Sequence, residues 1–204
     1  ASNGSVILRR DESDATGYAP FKVETFEPAG VLTLLREHLP EARYMVEQPD
    51  GARLYTEDIP EWELGRAKQV PFEVMLEVPV SRVVVVSPTH DNDDFLRLVE
   101  SIGLNQVSYA VGWTAWLDIA PHGVNKGTAL EQVREWLGFA PADVLVIGDG
   151  RNDLEMFAWA REAGGRAFAM GQGPQEVLDA ATHITGTVHE GGAARVLRDL
   201  AANA

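Results

Sequence analysis

At 204 residues the chain can form one large domain or two modest ones, and 45% hydrophobic with 24% charged residues excludes disordered and fibrous classes. Lys plus Arg total 17 against 31 Asp plus Glu, a formal charge of -14, so the surface repels nucleic-acid backbones and anionic lipid. No cysteine occurs, which removes disulfides, thiolate nucleophiles, Cys-bound zinc and iron–sulfur clusters and leaves hard, oxygen-ligated metals as the metal class to look for. An acidic protein that handles an anion has to supply local positive charge from a metal ion, a lysine or a helix N-terminus. The opening ASNGSVILRR lacks a basic segment followed by an apolar core, and no apolar run nears the ~18 residues that span a bilayer. A soluble, cytoplasmic protein with neither nucleic-acid nor membrane partners is expected.

In chain order, Ser5 to Leu8 reads as a lone strand before a charged linker, Arg9 to Asp14. Pro28 to Leu39 has apolar residues at helical spacing, and Arg43 to Val46 with Ala52 to Thr56 flank the turn Pro49-Asp50-Gly51 as a hairpin does. Val74 to Val78 and Arg82 to Ser87 read as strands, Asp91 to Ile102 as a helix, and Val107 to Ile119 as one long strand or two joined at Gly112. No crossover helix separates each strand pair, so this stretch reads as α+β with antiparallel pairing. From about Ala140 the pattern changes. Val144 to Ile147, Leu154 to Ala163, Arg166 to Met170, Gln175 to Ala181, Thr182 to Thr185 and Ala193 to Ala201 alternate strand and helix, with glycines at the turns. The fold class predicted is α/β: a doubly wound, Rossmann-like parallel-sheet core with an inserted α+β domain. The divisions are 1–14 (core strand segment), 15–112 (insert) and 113–204 (core).

Two segments carry chemistry. Gly148-Asp149-Gly150-Arg151-Asn152-Asp153 follows the strand ending at Ile147 and precedes a helix, and ligands of open α/β sheets bind at the carboxyl ends of strands. Such a loop offers a hard cation such as Mg²⁺ the carboxylate it wants, beside water and phosphate oxygens. Read alone, it is also an ordinary glycine turn with Asn152 or Asp153 capping the helix. The second segment is Val124-Asn125-Lys126-Gly127-Thr128. Thr128 and Glu131 make a Thr-x-x-Glu capping box, which places Lys126 just outside the helix's positive end. A lysine there opposes the dipole unless an anion binds both, although a lone lysine is more often simply solvated.

Together these segments resemble the last two signature motifs of the haloacid dehalogenase superfamily of phosphatases. Trp116-Leu117-Asp118-Ile119 leading to Gly123-Val124-Asn125-Lys126-Gly127, then Phe168-Ala169-Met170-Gly171 and Glu190-Gly191-Gly192, are similar to the sugar-phosphate phosphatase branch with a type IIB cap. Asn3-Gly4 resembles the core segment just before that cap, and residues 15–112 agree with the cap in size and character. The resemblance implies a Mg²⁺-dependent phosphatase acting on a small phosphorylated metabolite, a sugar phosphate by preference. It implies that Asp149 ligates Mg²⁺, that Lys126 neutralises the phosphate and nucleophile, and that Asn152 contacts phosphate. Asp153 would hold Lys126 or metal-bound water from outside the ligand sphere.

The family's first motif, an apolar strand ending in Asp-x-Asp-Gly-Thr, and its second, a strand ending in Ser or Thr, are not found. Asp91-Asn92-Asp93 has the spacing but continues as Asp94-Phe95, and reads as an acid-rich helix start. Asp11-Glu12-Ser13-Asp14 reads as solvated linker. The expectation is a fragment that lacks the aspartate nucleophile, is inactive alone and bares apolar surface where the missing strands would lie. The alternatives are a phosphomannomutase-like isomerase and a nucleophile-less sugar-phosphate-binding module. His38, His90, His122, His183 and His189 are scattered and read as surface or turn residues. Trp62, Trp113 and Trp116 are read as core of the insert before substrate-facing groups. Gln172 stands where the family's Gly-Asn-Ala has Asn. Nothing marks the substrate or the oligomeric state.

Overall fold

The computed structural model describes residues 1–59, 67–104, 107–112 and 115–202. Trp62 and Trp113 therefore lie outside the described residues. The chain divides into two units, Ala1–Asn125 and Lys126–Ala204.

The first unit opens with an antiparallel hairpin, β1 (Val6–Arg10) and β2 (Tyr18–Val23). Its turn is built locally: Asp11 Oδ1 accepts from the Ser13 amide and hydroxyl, and Asp14 Oδ1 does the same for Thr16. These bonds to the charged form hold both carboxyls below the usual aspartate range. Arg9 and Arg10 thus belong to a strand, and the stretch read as a linker is the hairpin's end and turn. β1 pairs with β2 antiparallel, from Val6↔Val23 to Arg10↔Tyr18.

Helix α1 (Ala29–His38) is followed by β3 (Arg43–Glu47), β4 (Arg53–Tyr55), β5 (Ala67–Gln69) and β6 (Arg82–Val86). Then come α2 (Asn92–Ile102), β7 (Val107–Val111) and β8 (Trp116–Pro121). The strands form one six-stranded sheet in the order β5-β4-β3-β6-β8-β7, antiparallel except where β4 meets β5. Strand alternation divides the valines: Val83 and Val85 pack with Leu32, Leu35, Phe95 and Val99 of the two helices, while Val84 joins Met45 and Ile59 on the opposite face. Tyr44 is buried, donates its hydroxyl to the Leu39 carbonyl at 2.8 Å, and has its pKa pushed up to about 12 by burial.

One sequence expectation is corrected here. Residues 72–77, read as a strand from Val74, form a 3₁₀ helix because Phe72, Met75 and Leu76 share one face on the core while Val74 points out. Strands β7 and β8 pair as an antiparallel hairpin from Val107↔Pro121 to Val111↔Leu117. Residues 116–121 lie in the first unit. Asp91 caps α2 by accepting from the Asp94 amide at 2.8 Å, the helix-start role expected of it.

The second unit comprises α3 (Lys126–Leu137), β9 (Leu145–Gly148), α4 (Leu154–Glu162), β10 (Arg166–Met170), α5 (Gln175–Ala180), β11 (His183–Thr185) and α6 (Gly192–Ala202). Its three strands are all parallel in the order β11-β10-β9. Ala167 and Ala169 of β10 and Val146 of β9 pack against Met156, Phe157 and Ala160 of α4 and Val177 of α5. The other face, through Leu145 and Phe168, lines a cleft of about 550 Å³ with Arg195, Val196, Asp199 and Leu200 of α6. Helices on both faces make this half doubly wound, as expected.

Candidate active site at the carboxyl end of strand β9

Strand β9 ends at Gly148, and the turn that follows is shaped by a single buried carboxylate. Asp153, 4% exposed, accepts the backbone amides of Asp149 at 2.9 Å and Gly150 at 3.1 Å on Oδ2. On Oδ1 it accepts Lys126 Nζ at 2.6 Å. The amides bring Asp149 and the ammonium brings the start of α3 to the same anion. Lys126 and Asp149, 23 residues apart in sequence, are thereby gathered at one rim of the sheet through Asp153. Gly148 leaves room for this carboxylate: a Cβ there would sit 2.4 Å from Asp153 Cγ, closer than nonbonded atoms approach, and would displace it.

Asn152 lies in the 3₁₀ turn Arg151–Asp153 between Asp149 and α4. Asp149 itself is half-buried. Its Oδ2 accepts Gln172 Nε2 at 2.9 Å, while Oδ1 accepts no hydrogen bond among the described residues. A carboxylate with one oxygen oriented and one open suits a divalent cation, which asks a phosphoryl-handling site for one or two carboxylates and fills the rest with water and phosphate. No cluster of three or more His, Asp or Glu that could hold a metal occurs among the described residues.

Lys126 is the first residue of α3 rather than just outside it, and the capping box read at Thr128 and Glu131 is not how Glu131 is used. Its carboxylate receives Arg134 Nε at 2.8 Å and Nη2 at 2.6 Å, and Trp159 Nε1 of α4 at 2.9 Å. These bonds, the Arg134 fork first, hold its pKa down at about 2. Glu131 thus ties α3 to α4, whose first residue follows Asp153. Sequence reasoning left two supports unassigned, the Glu131–Trp159 tie and the Gln172 bond to Asp149. Gly-Gln-Gly at the end of β10 was the one signal available for the second.

The sequence matches the family of haloacid dehalogenase-like hydrolases over residues 41–197. The chain belongs to that family. Among curated relatives, "Putative phosphatase YxeH" of Bacillus subtilis strain 168 is 32% identical over 161 residues, covering 74% of this chain and 58% of that protein. A protein named phosphoglycolate phosphatase in Methanosarcina acetivorans is 34% identical over 80 residues, 39% of this chain and 34% of that protein. The chain thus spans less than two thirds of these relatives. Among solved structures, the subclass IIB sugar phosphatase BT4131 superposes with a TM-score of 0.74 at 15% identity, over 98% of this chain and 74% of that one. SMU.1108c of Streptococcus mutans gives 0.75 at 19%, over 98% and 75%. At such identities the likeness is one of fold: the haloacid dehalogenase fold, with its Rossmann-like core and α+β cap.

Proposed function

We propose that this chain is the cap and the carboxyl-terminal part of the core of a Mg²⁺-dependent phosphatase acting on a small phosphorylated metabolite, with sugar phosphates the first class to try. The observation that carries this reading is Asp153, which grips the Lys126 ammonium with one oxygen and the Asp149 and Gly150 amides with the other. Phosphoryl transfer passes through a loose transition state whose charge spreads over the peripheral oxygens, so catalysis is mainly charge neutralisation and alignment. Lys126, pinned at 29% side-chain exposure, is the cation that takes a phosphate oxygen and counters the charge of an adjacent carboxylate. Asn152 donates to a second phosphate oxygen. Asp153 keeps the ammonium in place and itself stays out of the reaction. Asp149 would hold Mg²⁺, which when bound neutralises phosphate charge and helps align it with the attacking group.

The nucleophilic aspartate and its acid–base partner are assigned to a segment preceding Ala1, in keeping with relatives that exceed this chain in length. The boundaries best suited to this reading are the two units found, with the α+β unit acting as cap.

Extending the coding sequence upstream and assaying orthophosphate release from phosphorylated sugars and p-nitrophenyl phosphate tests the proposal. The extended protein should turn over with Mg²⁺, Lys126→Met and Asp149→Ala should each lower kcat at least 100-fold, and the 204-residue chain should show no turnover. Full activity in Lys126→Met, or an extended protein inert on every phosphomonoester, overturns it. Transfer of phosphate back to product instead of to water would move the assignment to a phosphomannomutase-like isomerase.

A further inference from the structure

Gln172 lies in the turn between β10 and α5, and nothing in the chemistry above uses it. Its side-chain amide joins two different loops. Nε2 donates to Asp149 Oδ2 at 2.9 Å, and Oε1 accepts the Val188 backbone N–H, from the loop between β11 and α6, at 3.0 Å. The second bond fixes the sense of the first, because a backbone N–H can only donate: oxygen must face Val188 and the NH₂ must face Asp149.

The backbone on either side of Gln172 is equally constrained. Gly173 donates its amide to the Met170 carbonyl at 2.8 Å, and a Cβ on Gly173 would come within 3.2 Å of the Asp149 carbonyl. A Cβ on Gly171 would come within 3.0 Å of the Thr185 carbonyl. The turn is wedged between the loops that follow β9 and β11, with glycines where it touches them. On the Val188 side, Glu190 Oε2 accepts the Thr187 amide at 2.8 Å and hydroxyl at 3.0 Å. A Cβ on Gly192 would lie 1.9 Å from the Gly186 carbonyl, so the start of α6 is pressed onto that loop. Gln172 therefore hangs from a rigid support, and its free end is aimed at the carboxylate.

We propose that Gln172 is a positioning residue for the divalent cation: it clamps Oδ2 of Asp149, anchored through Val188, so that Oδ1 presents its lone pairs to the ion. This rests on the reading of Asp149 as the cation's ligand. Hydrogen-bond partners of ligating carboxylates typically change metal affinity 10–100-fold when removed. A methionine at 172 keeps the length and loses both polar atoms. An asparagine keeps the amide but is one methylene too short to reach both partners.

The test is a Mn²⁺ titration of the 204-residue chain followed by paramagnetic broadening of backbone amide signals. Broadening should centre on residues 149–152 and vanish in Asp149→Asn. In Gln172→Met the Mn²⁺ concentration for half broadening should rise about tenfold, with metal-free Tm and spectral dispersion unchanged. Gln172→Asn should fall between wild type and Gln172→Met, and serves alone if the methionine variant does not fold. Wild-type affinity in both Gln172 variants, with Asp149→Asn silent, overturns the positioning role and leaves the ligand assignment standing. Undiminished broadening in Asp149→Asn overturns both.

Discussion

Asp153 does with one side chain what two would do badly. A buried carboxylate is costly unless every lone pair facing protein is used, and here two amides and an ammonium use them. Gly148 leaves the space that this requires. Gly148→Ala places a methyl 2.4 Å from Asp153 Cγ, so the carboxylate has to swing away. The expected result is a loss of roughly 1–3 kcal/mol of stability. The amide protons of Asp149 and Gly150 should also shift upfield as their bonds to Oδ2 break, while the rest of the amide spectrum holds. Unchanged amide shifts would show that the turn does not depend on Asp153. The strings that hold Lys126, Asp149 and Asp153 stood out in the sequence because they resemble two signature motifs, and the Lys126–Asp153 bond is a contact that resemblance implied. Gln172 was not, because its partner lies 23 residues earlier and only the parallel register of β9 and β10 brings the two loops together.

Among the elements, α3 and α4 are joined by a charge rather than by packing alone. Glu131 has its pKa lowered from 4.5 to about 2 by Arg134 and Trp159. A carboxylate depressed in the folded state stabilises fully above its unfolded pKa, and that contribution is lost as pH falls from about 4.5 through about 2. Urea midpoints measured between pH 6 and pH 3 should therefore fall less steeply in Glu131→Gln than in wild type, with the two curves converging at the acid end. Parallel curves would mean that the Arg134 fork does not survive in solution. The same pair shows why the capping box misled: Thr-x-x-Glu at a helix start is a local signal, and a tryptophan 28 residues on with an indole N–H to satisfy outcompetes it. Residues 72–77 misled differently. A short apolar run carries too few residues to separate period two from period three, and the core contacts of Met75 decide it.

At the scale of the whole chain, the α/β half was readable from alternation and glycine punctuation to within a residue or two at most ends. Which partners β1 and β8 take was not readable, because strand pairing is a non-local choice. Among the described residues the parallel sheet ends at β9, and the face carrying Leu145 and Phe168 is covered only partly by α6. Ile184 and Leu200, which line that cleft, are 61% and 38% exposed. Apolar surface beside an open strand edge favours association. Sedimentation of the 204-residue chain should show self-association that rises with concentration, and Ile184→Lys or Leu200→Lys should shift it toward monomer. A wild type that stays monomeric across the accessible range would show that this face is quiet.

The bonds around Asp153 lie wholly within the polypeptide, so the rim is shaped when the chain folds and not each time something lands on it. An ion or small anion arriving there finds its hosts already ordered, and little freedom remains to be surrendered on docking. Calorimetry of such an encounter should register a small heat-capacity change, the mark of a rigid receptacle rather than of a loop that gathers itself around its visitor.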